Sequence, residues 1–406
     1  MAWTASAPSQ TTSSATSSPR LPIRNGACTA ALATCWRSLW SSIPLVLHDS
    51  DLLLASTFDD EVERAVAFAA VGCILADHPG PFRKGVQDLV LLDVDDSTKD
   101  GVLQRLANDI LRCASLQRLF LTYWQISFSG TTTDVTFPHL KKFGMQYSSM
   151  RDQDLDHILA CSPVLQILTL SFSKYPQRIR LRSKSLQCMV LWMYMAEELA
   201  VVDVSCLKRL IMWITFSAVD DSLMIVKIHR APELREFGYL EPRVHQLEIG
   251  NTVINATTKA NPSSIVPSVK ILALKVNFSA VNEVNMLPSF LRCIPNVETL
   301  HMESSVIGGV TASHHAMFWR EVLPVECLKS HVKKIVMHKF RGHRSEFEFL
   351  KFIAKGARKL QNLLLVLTKE VPASVDQVAE VNRQLAIELG IEKNRQETRF
   401  QKELRL

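Results

Sequence analysis

The residues best suited to chemistry gather late in the chain, at Cys327, His331, His338 and His343. A thiolate and imidazoles are common zinc ligands, and a metal held with one open position activates water. The spacing argues against such a site, because these four residues complete none of the four-ligand zinc templates. The same stretch carries Lys333, Lys334, Lys339, Arg341 and Arg344, a basic run of the kind that can neutralise phosphates. Glu346 and Glu348 interrupt it, and no base-stacking aromatics alternate with it, so it reads as a solvated face and nucleic acid is not an expected partner. No Gly-x-Gly-x-x-Gly, Walker loop, His-Glu-x-x-His or Gly-x-Ser-x-Gly occurs. No catalytic residue, metal or cofactor is assigned, and the expectation is a non-catalytic protein.

Composition is consistent with that. The net charge of +6 over 406 residues is weak support for a polyanionic partner. No apolar run reaches the roughly 18–20 residues that span a bilayer, so no membrane is expected. The nine cysteines are scattered, odd in number and never spaced as Cys-x-x-Cys. A reducing compartment follows, the cytoplasm or the nucleus, with thiols acting as small apolar groups.

What the apolar residues do is repeat. Leu165, Leu168 and Leu170 form a phrase with spacing three then two. It returns at Leu116/Leu119/Leu121, Leu140/Phe143/Met145, Leu186/Met189/Leu191, Leu207/Leu210/Met212 and Leu234/Phe237/Tyr239. Later copies are Val244/Leu247/Ile249, Val269/Leu272/Leu274, Val297/Leu300/Met302, Val332/Ile335/Met337 and Leu360/Leu363/Leu365. Most copies follow after about 21–28 residues, the period of leucine-rich repeats. The last two apolar positions alternate, so they share one face of a short strand, and stacked copies share one core. The expected fold is an α/β leucine-rich-repeat solenoid: a curved parallel sheet with a helix after each strand on the outer side. Val86–Leu91 is the expected first repeat strand, with a helix over Val102–Leu111 and another over Leu155–Leu159. Residues flanking the last apolar position should face away from the core. The phrases at Leu186 and Leu207 are 21 residues apart, which sets Trp192 beside Trp213 and Val190 beside Ile211. Exposed, these four would make an apolar target-binding patch; loops or helices covering both indoles are the competing arrangement.

Two stretches outside the phrases resemble known modules. Leu21, Pro22, Ala27, Thr29, Leu32, Trp36, Arg37, Leu39, Trp40, Pro44 and Leu45 resemble the C-terminal half of a plant F-box. Asn25, Cys28 and Thr34-Cys35 depart from that pattern, and a Ser/Thr tract stands where the first F-box helix belongs. Near the other end, Glu326–Ile335, Lys339–Gly342 and Glu346–Ile353 resemble the FBD module that follows the repeats in one branch of plant F-box proteins. Phe347, Leu350, Ile353, Ala354, Ala357 and Leu360 make one helical stripe that would seal the last strand.

The resemblance implies an F-box/leucine-rich-repeat/FBD protein. Its parts would be a disordered leader over 1–20, a partial F-box over 21–54, repeats over 55–302, an FBD region over 303–370 and a charged helical tail over 371–406. Such proteins are substrate-recognition subunits of Skp-cullin-F-box ubiquitin ligases. The F-box docks the Skp adaptor, here through Leu21, Pro22, Leu32, Trp36, Leu39 and Trp40, and the repeats hold an unknown protein substrate. With half the docking helices missing, adaptor binding by this form is expected to be weak or lost, an alternative start or a truncated gene accounting for the difference. The rival reading is a repeat module that binds partners outside the ligase. The Ser-rich leader also resembles an organelle transit peptide, but it has too few arginines and no amphipathic stretch.

Overall fold

The computed structural model describes residues 45–48, 87–92, 103–106, 114–128, 136–305 except 221 and 260, 318–319, 322, 325–367 and 383. The chain divides into two compact units, Met1–Pro176 and Gln177–Leu406.

In the first unit the main strands are β1 (Leu45–His48), β2 (Asp88–Leu92), β4 (Arg118–Thr122), β6 (Lys142–Gln146) and β8 (Ile167–Ser171). They pair in that order, each parallel to the next. Behind them runs a second, short parallel sheet of β3 (Gln104–Arg105), β5 (Trp124–Ile126) and β7 (Ser149–Met150). Helix α1 (Asp152–Cys161) precedes β8. In the second unit the main strands are β10 (Cys188–Ala196), β12 (Arg209–Ser217), β14 (Glu236–Leu240), β17 (Ile271–Val276), β18 (Thr299–Ser304), β19 (Lys334–Phe340) and β20 (Asn362–Leu367). These are again parallel in that order. The second sheet here contains β9 (Arg178–Arg182), β11 (Glu198–Asp203), β13 (Met224–Ile228), β15 (His245–Ile249) and the short β16 (Thr252–Val253). Helices α2 (Val281–Cys293), α3 (Glu326–Ser330) and α4 (Arg344–Gly356) follow β17, β18 and β19.

This is a leucine-rich-repeat α/β solenoid, with few helices among the described residues. The apolar pairs of the phrases point into the core: Leu119/Leu121, Leu168/Leu170, Met189/Leu191, Leu210/Met212, Leu272/Leu274 and Ile335/Met337 are all buried. Each such side chain stabilises the stack by about 1.5–3 kcal/mol relative to exposure. A lone strand could not achieve this; the neighbour on each side completes the burial.

Several expectations are corrected. A helix does not follow each strand. Where the phrase returns after only 21 residues, as from Met189 to Leu210, the intervening chain is a second strand with period-two apolar residues, Leu199 and Val201. Gln104–Arg105, inside the stretch expected to be helical, is strand β3. Strand β1 precedes the expected first repeat strand and pairs with β2. The Val244/Leu247/Ile249 phrase belongs to β15 of the second sheet, not the main one. In β14 the second inward place is taken by Leu240, partnered by Leu274, while Tyr239 turns outward. The register slips at Gly238, whose φ of +150° and contact with Ala273 leave no room for a Cβ. In α4 the stripe Phe347, Leu350 and Ile353 is buried, but Ala354 is exposed.

Two local devices shape the repeats. Many main strands carry a left-handed residue: Tyr123 (φ 64°), Tyr147 (φ 47°) and Phe172 (φ 49°) directly follow β4, β6 and β8 in the first unit, while Met193 (φ 48°), Ile214 (φ 55°) and Lys339 (φ 54°) lie within β10, β12 and β19 in the second. Such residues cost on the order of 1 kcal/mol each, and the turn they make redirects the chain. In the first unit the cost is offset. Tyr123 and Tyr147 donate their N–H groups to Gln146 and Ser171 of the next repeat, at 3.1 and 3.2 Å. Their rings also stack on one another at 4.9 Å, with Phe172 next in line at 4.7 Å from Tyr147.

The second device is an acid at the third position of each long helix among the described residues. Asp154, Glu283 and Glu346 are buried, and each accepts a backbone N–H from the preceding segment: Phe128 (3.1 Å), Asn277 (2.8 Å) and Arg341 (3.1 Å). A carboxylate there also favours the helix dipole.

Candidate functional site

Strands β10 and β12 are nine residues long, and their register sets Val190 against Ile211, Trp192 against Trp213 and Met195 against Phe216. Alternation puts Met189, Leu191, Leu210 and Met212 in the core, so the residues between them face away from it. The left-handed residues Met193 and Ile214 then restart the alternation out of phase. Trp192 and Met193 are therefore both outward, with Met195 two residues further on. Trp192 is 46% exposed, Trp213 50%, Phe216 44% and Met195 39%. Val190 and Ile211 are half-buried at the base of the same surface. On β14 the outward Tyr239 ring lies 5.6 Å from that of Trp213. Burial, then the negative charge of Glu303, raises the Tyr239 phenol above its usual pKa, so it stays protonated and polar-tipped. The arrangement can anchor an apolar or aromatic segment of a partner: large rigid side chains, already ordered by a sheet, lose little entropy on binding.

The four residues Cys327, His331, His338 and His343 do not converge. Cys327 is in the core of α3 with its thiol directed at the Leu291 carbonyl (3.4 Å), and burial pushes its pKa up to about 12. His343 caps α4, accepting at its N-terminus and donating its backbone N–H to Glu346 (2.8 Å). His338 instead meets His301 of the neighbouring strand, Nδ1 of His301 lying 3.4 Å from Nε2 of His338. The ring planes differ by 11° and the centroids are 5.7 Å apart, so the rings are nearly coplanar and point nitrogen to nitrogen rather than lying face to face. Burial lowers both pKa values, and for His301 the partner imidazole and Lys334 lower it further. Spacing could not reveal this pair, since its members are 37 residues apart. Of the basic run, Lys333 and Lys339 form ion pairs with Glu298 and Glu303 at 2.7 Å, and Arg341 donates to the Ser304 and Lys339 carbonyls.

The partial F-box residues Leu21, Pro22, Leu32, Trp36, Leu39 and Trp40 lie outside the described residues. So do the leader and all of the tail but Arg383.

A family model described as FBD-associated F-box protein At5g56370, LRR repeats, matches residues 80–302, and the FBD model matches residues 321–365. The chain belongs to the FBD-associated F-box protein family. No curated protein and no solved structure matches it. As an F-box-associated repeat protein with an FBD region, it is a protein-interaction module. Within the FBD match fall β19, α4 and most of β20, and α4 closes over the last strands with Phe347, Phe349, Leu350 and Ile353.

Proposed function

We propose that this protein is the non-catalytic substrate-recognition subunit of a Skp-cullin-F-box ubiquitin ligase, and that Trp192 and Trp213 anchor its target. The observation that carries the target site is the register of two half-exposed indoles on adjacent strands, with Val190 and Ile211 beneath them. Scattered exposed apolar side chains are ordinary, but contiguous aromatic ones mark interaction surfaces. The ligase role is supported by the family and by the F-box resemblance around Trp36-Arg37-Ser38-Leu39-Trp40.

The test is affinity purification of the full chain from cells, followed by identification of what comes with it. Skp and cullin subunits together with a protein whose level rises when this chain is removed would support the proposal. Trp192→Ala and Trp213→Ala should each weaken target capture roughly tenfold to thirtyfold, the effect of truncating a central aromatic anchor, while leaving Skp capture unchanged. Target capture with no ligase subunit would instead favour a stand-alone binding module. Undiminished capture by the double variant would overturn the assignment of the two indoles.

A further inference from the structure

His301 and His338 leave their strands on the outward side, opposite the core pairs Leu300/Met302 and Ile335/Met337. Both are half-buried, so the rings are held in place without being sealed from solvent. The backbone fixes their frame. Register joins β18 to β19 from Thr299/Lys334 to Glu303/His338, which sets Glu303 directly opposite His338 and two residues from His301 on the same face.

The separation of the facing nitrogens selects a chemistry. Zinc holds imidazole nitrogens at about 2.0–2.1 Å in tetrahedral geometry, which sets two of them about 3.3–3.4 Å apart. Neighbouring ligands of a square-planar or octahedral ion, at a right angle, would stand about 2.9 Å apart. Nδ1 of His301 and Nε2 of His338 are 3.4 Å apart. Because the two nitrogens point straight at one another, each ring must tilt by about 35° to aim its lone pair at a shared tetrahedral ion. Without an ion, one of these nitrogens donates to the other. With one, that proton moves to the far nitrogen of its own ring, and both near nitrogens present lone pairs. Burial favours the uncharged form of both rings, which is the form that binds metal.

The charges around the pair nearly balance. Glu303 brings negative charge beside His338 and is itself paired with Lys339 at 2.7 Å, while Lys334 opposes a cation at His301. Among the described residues no third histidine, cysteine, aspartate or glutamate joins the pair in a metal-holding group. The chain therefore supplies two of the four positions of a tetrahedral ion. The other two fall to water or to donors carried by a bound molecule.

We propose that His301 and His338 form a two-histidine zinc site on the outward face of β18 and β19, with its remaining positions open. A partner that brings a histidine, thiolate or carboxylate of its own would complete the coordination there. The site does not depend on the ligase assignment or on the two indoles, and its test uses zinc alone.

Titration of the metal-stripped full chain with zinc, in competition with a chromogenic chelator, reads the affinity. His301→Gln and His338→Gln should each weaken zinc binding at least tenfold, because one imidazole cannot chelate alone. His139→Gln, exposed in the other unit, should bind as the native chain does. A gain-of-signal variant covers the case in which the glutamine variants misfold. Cobalt-loaded His338→Cys should show a thiolate-to-metal absorption band, and adding His301→Gln should remove it. Native zinc affinity in both folded glutamine variants would overturn the proposal. So would absence of the cobalt band from His338→Cys, or its survival after loss of His301. Zinc binding that is lost in Cys161→Ser and kept in the two glutamine variants would also overturn it, by assigning the ion to the Cys161/His157 pair of α1.

Discussion

His245 makes an acid-dependent prediction that can be worked through in numbers. It is buried at the start of β15, facing Thr215 of β12: its Nδ1 accepts the backbone N–H of Glu241 at 2.9 Å, and its Nε2 sits 2.7 Å from the Thr215 hydroxyl. Accepting at Nδ1 places the ring proton on Nε2, which donates to Thr215. A second proton has no acceptor in that site, so burial, with help from the Lys275 charge, lowers the pKa to about 3 from 6.5. The unfolded chain therefore binds a proton between pH 6.5 and 3 that the folded chain refuses. Stability is fully present above the unfolded value and is lost as pH falls. From pH 7 to pH 5 the loss from this one group is about 2 kcal/mol, at about 1.4 kcal/mol per pH unit below 6.5. The assay is urea unfolding of the full chain followed by circular dichroism at pH 7, 6 and 5, beside His245→Gln. The glutamine variant should start less stable at pH 7 and lose about 2 kcal/mol less than the native chain on the way to pH 5. His301 and His338 lower stability in the same direction, but they are present in both proteins and cancel in the comparison. Equal losses in the two proteins would refute the reasoning.

Three further outcomes follow from the packing. Leu210→Asp places an unpaired carboxylate in the core of β12 and should cost several kcal/mol, read as loss of the cooperative unfolding transition. Glu346→Ala removes the acceptor for the Ser304 hydroxyl (2.5 Å) and for the Arg341 and His343 N–H groups, and should lower stability by about 3 kcal/mol, with local amide exchange at 341–346 rising first. Gly238→Ala, at a φ of +150° with the Ala273 carbonyl 2.3 Å from the new Cβ, should destabilise by about 3 kcal/mol or more, measured by the urea midpoint.

The inward half of the fold was legible because its signal is periodic. Leu168/Leu170, Met189/Leu191 and Leu272/Leu274 needed only the three-then-two spacing to be assigned to the core. The pairing of Trp192 with Trp213 followed from a clean 21-residue return. What stayed hidden depends on distance or on backbone conformation. His301 and His338 meet only because β18 and β19 are neighbours, with a long insertion between them. Tyr239 stood in the phrase where Leu240 stands in the core, because the slip at Gly238 leaves no trace in hydrophobicity. The second strands, β11 and β13 among them, carry Leu, Val and Ile at spacings that also suit a helix, so hydrophobicity alone does not separate the two. The acids at Asp154, Glu283 and Glu346 were visible as letters, but their role as acceptors for a neighbouring segment needed coordinates.

The mixture of backings has a mechanical consequence. A helix with its side chains is about 10 Å across, whereas strands repeat at about 4.8 Å. A repeat backed by a strand has the same pitch on both sides and is a flat slab; a repeat backed by a helix is wider behind and is a wedge. Within the second unit the slabs come first, at β10 and β12, and the wedges later, at β17 and β19 with α2 and α4. Any bending strain is then taken up among the wedges, where helices can slide. The spacing between Trp192 and Trp213 is fixed by hydrogen bonds at strand pitch and does not change when the far end flexes.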